Sequence, residues 1–352
     1  MNIDINKKII ENIIKKELND IKSFQDEIEK IDKISCKYPM IDAHIHIVDF
    51  NKTSLKNLLS YMDKSNIKAV IFLPVIKIWS ENEKQRPNYY LDDDNPCYYN
   101  FQTDAIVARE YLSLEKKDRK RFFPLLCFNP MDINSVEHII NTFETFPVFY
   151  VEVFYRHDDL THMTYGEPPR MNTYATRKLF EFIIKYDLPL CIHNNITAPI
   201  SDYPKFLHEM EEIIREFPKA RVILSHCASR RLRAPYYTKM ISRLLREYPL
   251  YVDFSWVIFD EIISVSETSI QDWIELTEEF STRVMISDVL GDNFEEIIIN
   301  SKFNYFLDKL TLETRQKVCI DNALNVYAKS KNRVEKQKIN TYPKLQDLKT
   351  QK

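Results

Sequence analysis

The stretch Met40-Ile41-Asp42-Ala43-His44-Ile45-His46-Ile47 sets two histidines one residue apart inside an apolar run. Side chains alternate along a strand, so a strand here turns His44 and His46 to one face. Imidazole is the commonest protein ligand for zinc and its neighbours, and such a pair could converge on one ion. Taken alone, the pair also fits buried histidines bonded to backbone. Further along, Glu152, His193, His226, Asp253 and Asp288 each fall near the C-terminal end of a short apolar run. Three or four imidazoles with a carboxylate at one point would make a site for a divalent transition metal, typically zinc, with Mn, Fe or Co as alternatives.

The elements that must bring these residues together are legible as alternation. Apolar runs at 40–47, 67–75, 121–129, 147–155, 188–195, 221–228, 250–256 and 283–290 read as strands. Between most of them lie amphipathic segments, among them Ser54–Lys64, Tyr174–Tyr186, Tyr203–Glu216, Thr238–Glu247 and Ser269–Phe280. Strand–helix alternation argues for a parallel sheet, and eight units argue for an α/β fold of the (β/α)8 TIM-barrel type. A doubly wound open sheet is the alternative, but it would not gather residues from the first and last strands at one point. Residues 1–38 read as a helical N-terminal extension, 39–328 as the barrel and 329–352 as a polar tail. Residues 76–103 form a long connection holding Trp79, four tyrosines and Asp92–Asp94, of a length that usually marks a lid or disorder.

Composition narrows the function. A formal net charge of −3 provides no global field for nucleic acid or an anionic membrane. No run approaches the ~20 apolar residues of a membrane span, and the polar N-terminus lacks a signal-peptide core. Six scattered cysteines without a Cys-x-x-Cys pattern read as reduced thiols of a cytoplasmic protein. With only Gly166 and Gly291, the chain has no glycine-rich phosphate loop or dinucleotide fingerprint. A small-molecule substrate is therefore expected, with no nucleic-acid or membrane partner, and a homodimer remains an open assembly state.

Taken in order, the phrases resemble the amidohydrolase superfamily, in its amidohydrolase-2 branch. The resemblance covers roughly residues 39–328. It rests on Asp42-Ala-His44-Ile-His46, Cys191-Ile-His193, Leu224-Ser-His226 and Ile286-Ser-Asp288. Phe128-Asn-Pro130, Phe217-Pro, Tyr251-Val-Asp253-Phe-Ser-Trp256 and Asp321-Asn-Ala323 support it. The resemblance implies that His44, His46, His193 and Asp288 bind one zinc or a second ion besides, with Mn2+, Fe2+ or Co2+ as substitutes. It implies that Asp288 also accepts a proton from the attacking water. His226 would bind a second ion or polarise the substrate. Glu152 would bridge two ions, and its alternative is a structural ion pair with a neighbour such as Arg156. Asp288 could instead cap the helix that follows. Asp253 fits hydrogen bonding behind the ligands better than ligation.

Arg230, Arg231 and Arg233 follow the sixth run, and Arg156 and His157 follow the fourth. Guanidinium groups match carboxylates in bidentate geometry, so Arg230 and Arg156 are candidate contacts for an anionic substrate, with Trp79 a candidate to close over it. Solvated surface charge is the competing reading. Three functions follow: a metal-dependent hydrolase of an amide, lactone or ester-like bond; a metal-dependent decarboxylase resembling aminocarboxymuconate semialdehyde decarboxylase; and a non-catalytic barrel. Histidines at the mouth, which barrel stability does not require, argue against the third.

Overall fold

The sequence orders itself into eight short strands: β1 (Met40–Ile47), β2 (Ile67–Pro74), β3 (Phe122–Phe128), β4 (Glu152–His157), β5 (Pro189–Asn194), β6 (Arg221–Leu224), β7 (Leu250–Phe254) and β8 (Val284–Ile286). This computed structural model describes residues 37–47, 55–74, 104, 107–128, 134–145, 152–157, 170–194, 203–228, 237–255, 258–287 and 303–328. Each strand pairs in parallel with the next, so the sheet order runs from β1 to β8 without reversal. β8 lies back against β1. The Ser287 hydroxyl, just past β8, donates to the His44 carbonyl at 3.1 Å and to the Asp42 carboxylate at 2.8 Å. The molecule is a TIM barrel, and the open-sheet alternative falls with the absence of an order reversal.

Helices on the outside explain why the strands are apolar on both faces. In the helix Tyr237–Glu247 the buried residues are Tyr237, Met240, Ile241, Leu244 and Leu245, one stripe at helical spacing. The helix Tyr174–Tyr186 starts at Thr173, whose hydroxyl accepts from the Thr176 amide at 3.1 Å. It stops where Asp187 turns left-handed at φ 53° and the Leu188 amide returns to the Ile183 carbonyl at 2.8 Å. Pro189 then opens β5. On β7, Phe254 faces outward and meets Trp273 of the helix Glu267–Glu279 edge-on at 5.2 Å. The residues on either side of it, Asp253 and Ser255, are thereby turned to the barrel interior.

The closing helical run 312–328 is fastened to the start of β8. The Asn322 side chain donates to the carbonyls of Ser281 at 2.8 Å and Val284 at 2.7 Å. That gives the Asp321-Asn-Ala323 phrase a structural purpose. The helices at 174–186 and 203–216 and the strand at 40–47 match their sequence-based bounds, and the other strands shift by a few residues. Two shifts matter. β6 stops at Leu224, short of His226, and β8 stops at Ile286, short of Asp288. Most of the extension 1–38, the connection 76–103 and the tail 329–352 lie outside the described residues. Among the described residues, no helix is long and apolar enough to cross a membrane.

Candidate metal centre

Alternation places Asp42 and His44 on the inner face of β1, Cys191 and His193 on that of β5, and Asp253 with Ser255 at the end of β7. His44 is 1% exposed and Asp253 also 1%, and His44 Nδ1 lies 3.4 Å from an Asp253 carboxylate oxygen. The Cys191 sulfur sits 3.9 Å from the same His44 nitrogen and touches the Ser225 hydroxyl. His226 stands between the other two imidazoles: its ring centroid is 5.1 Å from that of His44 and 4.9 Å from that of His193. Three imidazoles from β1, β5 and the turn after β6 thus meet beside one buried carboxylate, at the strand ends where barrel enzymes place their chemistry.

His226 reaches this position by an uncommon backbone path. Directly after β6, His226, Cys227 and Ala228 adopt φ values of 53°, 52° and 57°. A left-handed conformation costs about 1–2 kcal/mol for each residue with a Cβ, so three in succession need compensation. The contacts supply it. The His226 amide donates to the Asp253 carboxylate at 2.8 Å, and the Cys227 thiol donates to the Asp253 carbonyl at 3.5 Å. Tyr237 donates its hydroxyl to the Cys227 carbonyl. Burial pushes the Cys227 thiol well up and the Asp253 charge adds to the shift, so this cysteine stays a neutral thiol.

The Asp253 carboxylate is the hub. One oxygen receives the His226 amide and the Ser255 hydroxyl, and the other faces His44. Ser255 in turn is hydrogen-bonded to His226 Nδ1. The strand-7 aspartate therefore sits in hydrogen-bonding contact behind two imidazoles, as its sequence position suggested. Ser255 escaped the sequence reading, although its place two residues after Asp253, on the same strand face, was the available signal. The nearness of Cys191 to His44 depends on two strands meeting across the barrel, which no local pattern announces.

The other sequence candidates divide by position. His46 continues β1 opposite Leu73; Glu152 opens β4 opposite Leu125; and Arg156 pairs in register with His193. The side chains of these three lie outside the described residues, as do Trp79, Arg230 and Asp288 entirely. Donor chemistry at the described cluster suits a divalent transition ion: nitrogen donors from imidazole, a carboxylate behind them and little water.

A TIM barrel with such a cluster at its strand ends has the architecture of a barrel enzyme. The chain belongs to the amidohydrolase family, whose model matches residues 41–329. Family members bind divalent metals. Solved structures with the same fold include 2,6-dihydroxybenzoate decarboxylase from Rhizobium, at 14% identity and a TM-score of 0.54, covering 82% of this chain and 98% of that one. Dihydroorotase from Campylobacter jejuni aligns at 14% identity with a TM-score of 0.53, covering 82% of this chain and 83% of that one. An amidohydrolase from Burkholderia multivorans with bound zinc aligns at 9% identity with a TM-score of 0.50, covering 83% and 99%. No curated protein matches the chain.

Proposed function

We propose that this protein is a metal-dependent hydrolase that attacks an amide, lactone or ester-like bond of a small anionic organic substrate. The observation that carries the reading is the convergence of His44, His193 and His226 beside Asp253, with ring centroids 5.1 and 4.9 Å apart around His226. His44, His46, His193 and Asp288 would hold the ion, zinc in the first instance, and Glu152 would add a bridging carboxylate if a second ion binds. A divalent ion in such a site supplies Lewis acidity and brings the pKa of water to about 7. Asp288 would accept the proton released as water attacks and return it to the leaving group. His226, fixed by Asp253 and Ser255, would bind a second ion through Nε2 or, with a proton on that nitrogen, polarise the substrate's oxygen. Arg230 and Arg156 would bind the substrate's carboxylate, and Trp79 would cover its organic body.

Decarboxylation is the second reading. The fold is shared with a 2,6-dihydroxybenzoate decarboxylase as well as with a dihydroorotase, and the proposed ligand set would serve either chemistry. Substrate and product separate them: hydrolysis consumes water, whereas decarboxylation releases carbon dioxide. The test is a screen of the metal-loaded protein against paired acids and their neutral amides or methyl esters, following both hydrolysis products and carbon dioxide. Acids should react in preference, and Arg230→Ala should lower kcat/KM about tenfold or more. Neutral compounds reacting as well as acids, with Arg230→Ala unaffected, would remove the anionic-substrate claim.

A further inference from the structure

Among the described residues, every group touching the Asp253 carboxylate belongs to His44, His226 or Ser255. A buried carboxylate needs donors, and it can only accept. His44 Nδ1, 3.4 Å away, must then carry the ring's proton for the contact to be attractive. The neutral ring is thereby left with its lone pair on Nε2. The same logic runs one bond further. Ser255 spends its hydroxyl proton on Asp253 and so meets His226 Nδ1 with a lone pair. His226 Nδ1 must donate to it, which puts the lone pair of that ring on Nε2 as well.

We infer that Asp253 is a positioning residue that sets the tautomer of His44 directly and that of His226 through Ser255, so that each ring presents Nε2 to the reaction centre. The inference rests on the metal-enzyme reading and deepens it. It also explains why the strained turn 226–228 is maintained, because the Asp253 oxygen that receives Ser255 also holds the His226 amide at 2.8 Å. A rival use of the same atoms exists. His44 Nδ1, the Cys191 sulfur and an Asp253 oxygen lie within 4.8 Å of one another and could themselves surround an ion. Tetrahedral zinc would set such donors roughly 3.3–3.6 Å apart. An ion there accounts for the contact to His44 alone. The tautomer role accounts for the contacts to His44, His226 and Ser255 together.

Asp253→Asn separates the two. Asparagine keeps an oxygen for the His226 amide but offers an NH2 group to His44 Nδ1, which forces the His44 proton onto Nε2 and removes the ligating lone pair. Zinc affinity, measured by competition with a chromophoric chelator, should fall about 10–100-fold. The melting temperature of the metal-free protein should move far less than in Asp253→Ala. Nitrogen-15 NMR of labelled histidines should find both His44 and His226 protonated on Nδ1 in the metal-free wild type, and His44 protonated on Nε2 in the asparagine variant. Ser255→Ala should release the tautomer of His226 and leave that of His44 in place. Unchanged tautomers with wild-type zinc affinity in Asp253→Asn would overturn the inference. So would a sulfur-to-cobalt charge-transfer band in the cobalt-loaded wild type that Cys191→Ser abolishes, because Asp253 would then be a ligand. A wild type that binds no metal would defeat the metal-enzyme reading, while the metal-free tautomers would still decide this one.

Discussion

Among the described residues, buried histidines meet a buried carboxylate at two places, and the two serve different ends. In the first, His138 of the helix Ser135–Thr145 reaches Asp104 with Nε2 at 2.9 Å and Thr142, one turn along its own helix, with Nδ1 at 3.3 Å. Asp104 is wholly buried and His138 is 4% exposed, so both are as hidden as His44 and Asp253. In the second, His44 and His226 share one carboxylate and stand ring to ring, with His193 beyond. Burial and a carboxylate partner are thus common to a structural histidine and a candidate ligand. What differs is convergence. His138 spends both ring nitrogens on groups that fasten residue 104 to the helix packed beneath β3. The barrel histidines instead crowd together from two strands and the turn after a third, three polar rings at positions where Val, Ile or Leu would pack a barrel.

The largest expected effects test the crowded cluster. Asp288→Asn should lower kcat by about 10²–10⁴-fold, the usual contribution of a positioned acid–base group, with substrate binding retained. His44→Ala should remove bound metal together with activity. Retention of most turnover in Asp288→Asn would move the proton-accepting role elsewhere. The next effect in size belongs to the other pair. His138→Ala leaves the Asp104 carboxylate buried with fewer donors and should destabilise the protein by about 1–3 kcal/mol. The zinc affinity and kcat of the folded variant should stay at wild-type values. A loss of metal in His138→Ala equal to that in His44→Ala would erase the distinction between the two clusters.

The smallest effect concerns a carboxylate held by two threonines. Glu278 receives the Thr311 amide at 2.6 Å, the Thr311 hydroxyl at 3.0 Å and the Thr314 hydroxyl at 2.6 Å. Burial acts against its charge, but the hydrogen bonds from Thr314 and Thr311, with the charge of Lys317, hold the carboxyl below its ordinary value of 4.5. A depressed acid stabilises the fold above its unfolded pKa and loses that contribution as pH falls through the folded one. Glu278→Gln should therefore lower stability slightly at neutral pH, by less than about 1 kcal/mol because solvent screens this carboxylate, and its melting curve should approach that of the wild type as pH drops below about 4. A deficit that persists undiminished in acid would assign the stabilisation to packing.

Much of this architecture was legible before any coordinates. Eight apolar runs separated by amphipathic segments are a strong signal because both faces of a barrel strand are buried, and the runs that hold His44, His193 and Asp253 became β1, β5 and β7. Less legible was the path of the chain after β6. Left-handed turns are usually announced by glycine, yet this chain has only two, and among the described residues positive φ values fall on Asn66, Asp187, His226, Cys227 and Ala228. Of the last three, His226 is held by a carboxylate 27 positions away, a contact that no local propensity encodes. The sequence placed Asp253 behind the ligands but did not name its partners. Its part as a hub became visible only when β1, β6 and β7 were set side by side. Cys191 read as a buried strand thiol, which it is, and its place beneath His44 follows from barrel closure.

The central claim is that the barrel histidines hold a metal ion and the helix histidine does not. Elemental analysis of protein purified without chelators, and again after reloading with zinc, tests it directly. The account predicts about one equivalent or more of a divalent transition metal per chain in the wild type and in His138→Ala, with His44→Ala depleted. A metal-replete wild type that holds no transition metal at stoichiometric level would contradict it.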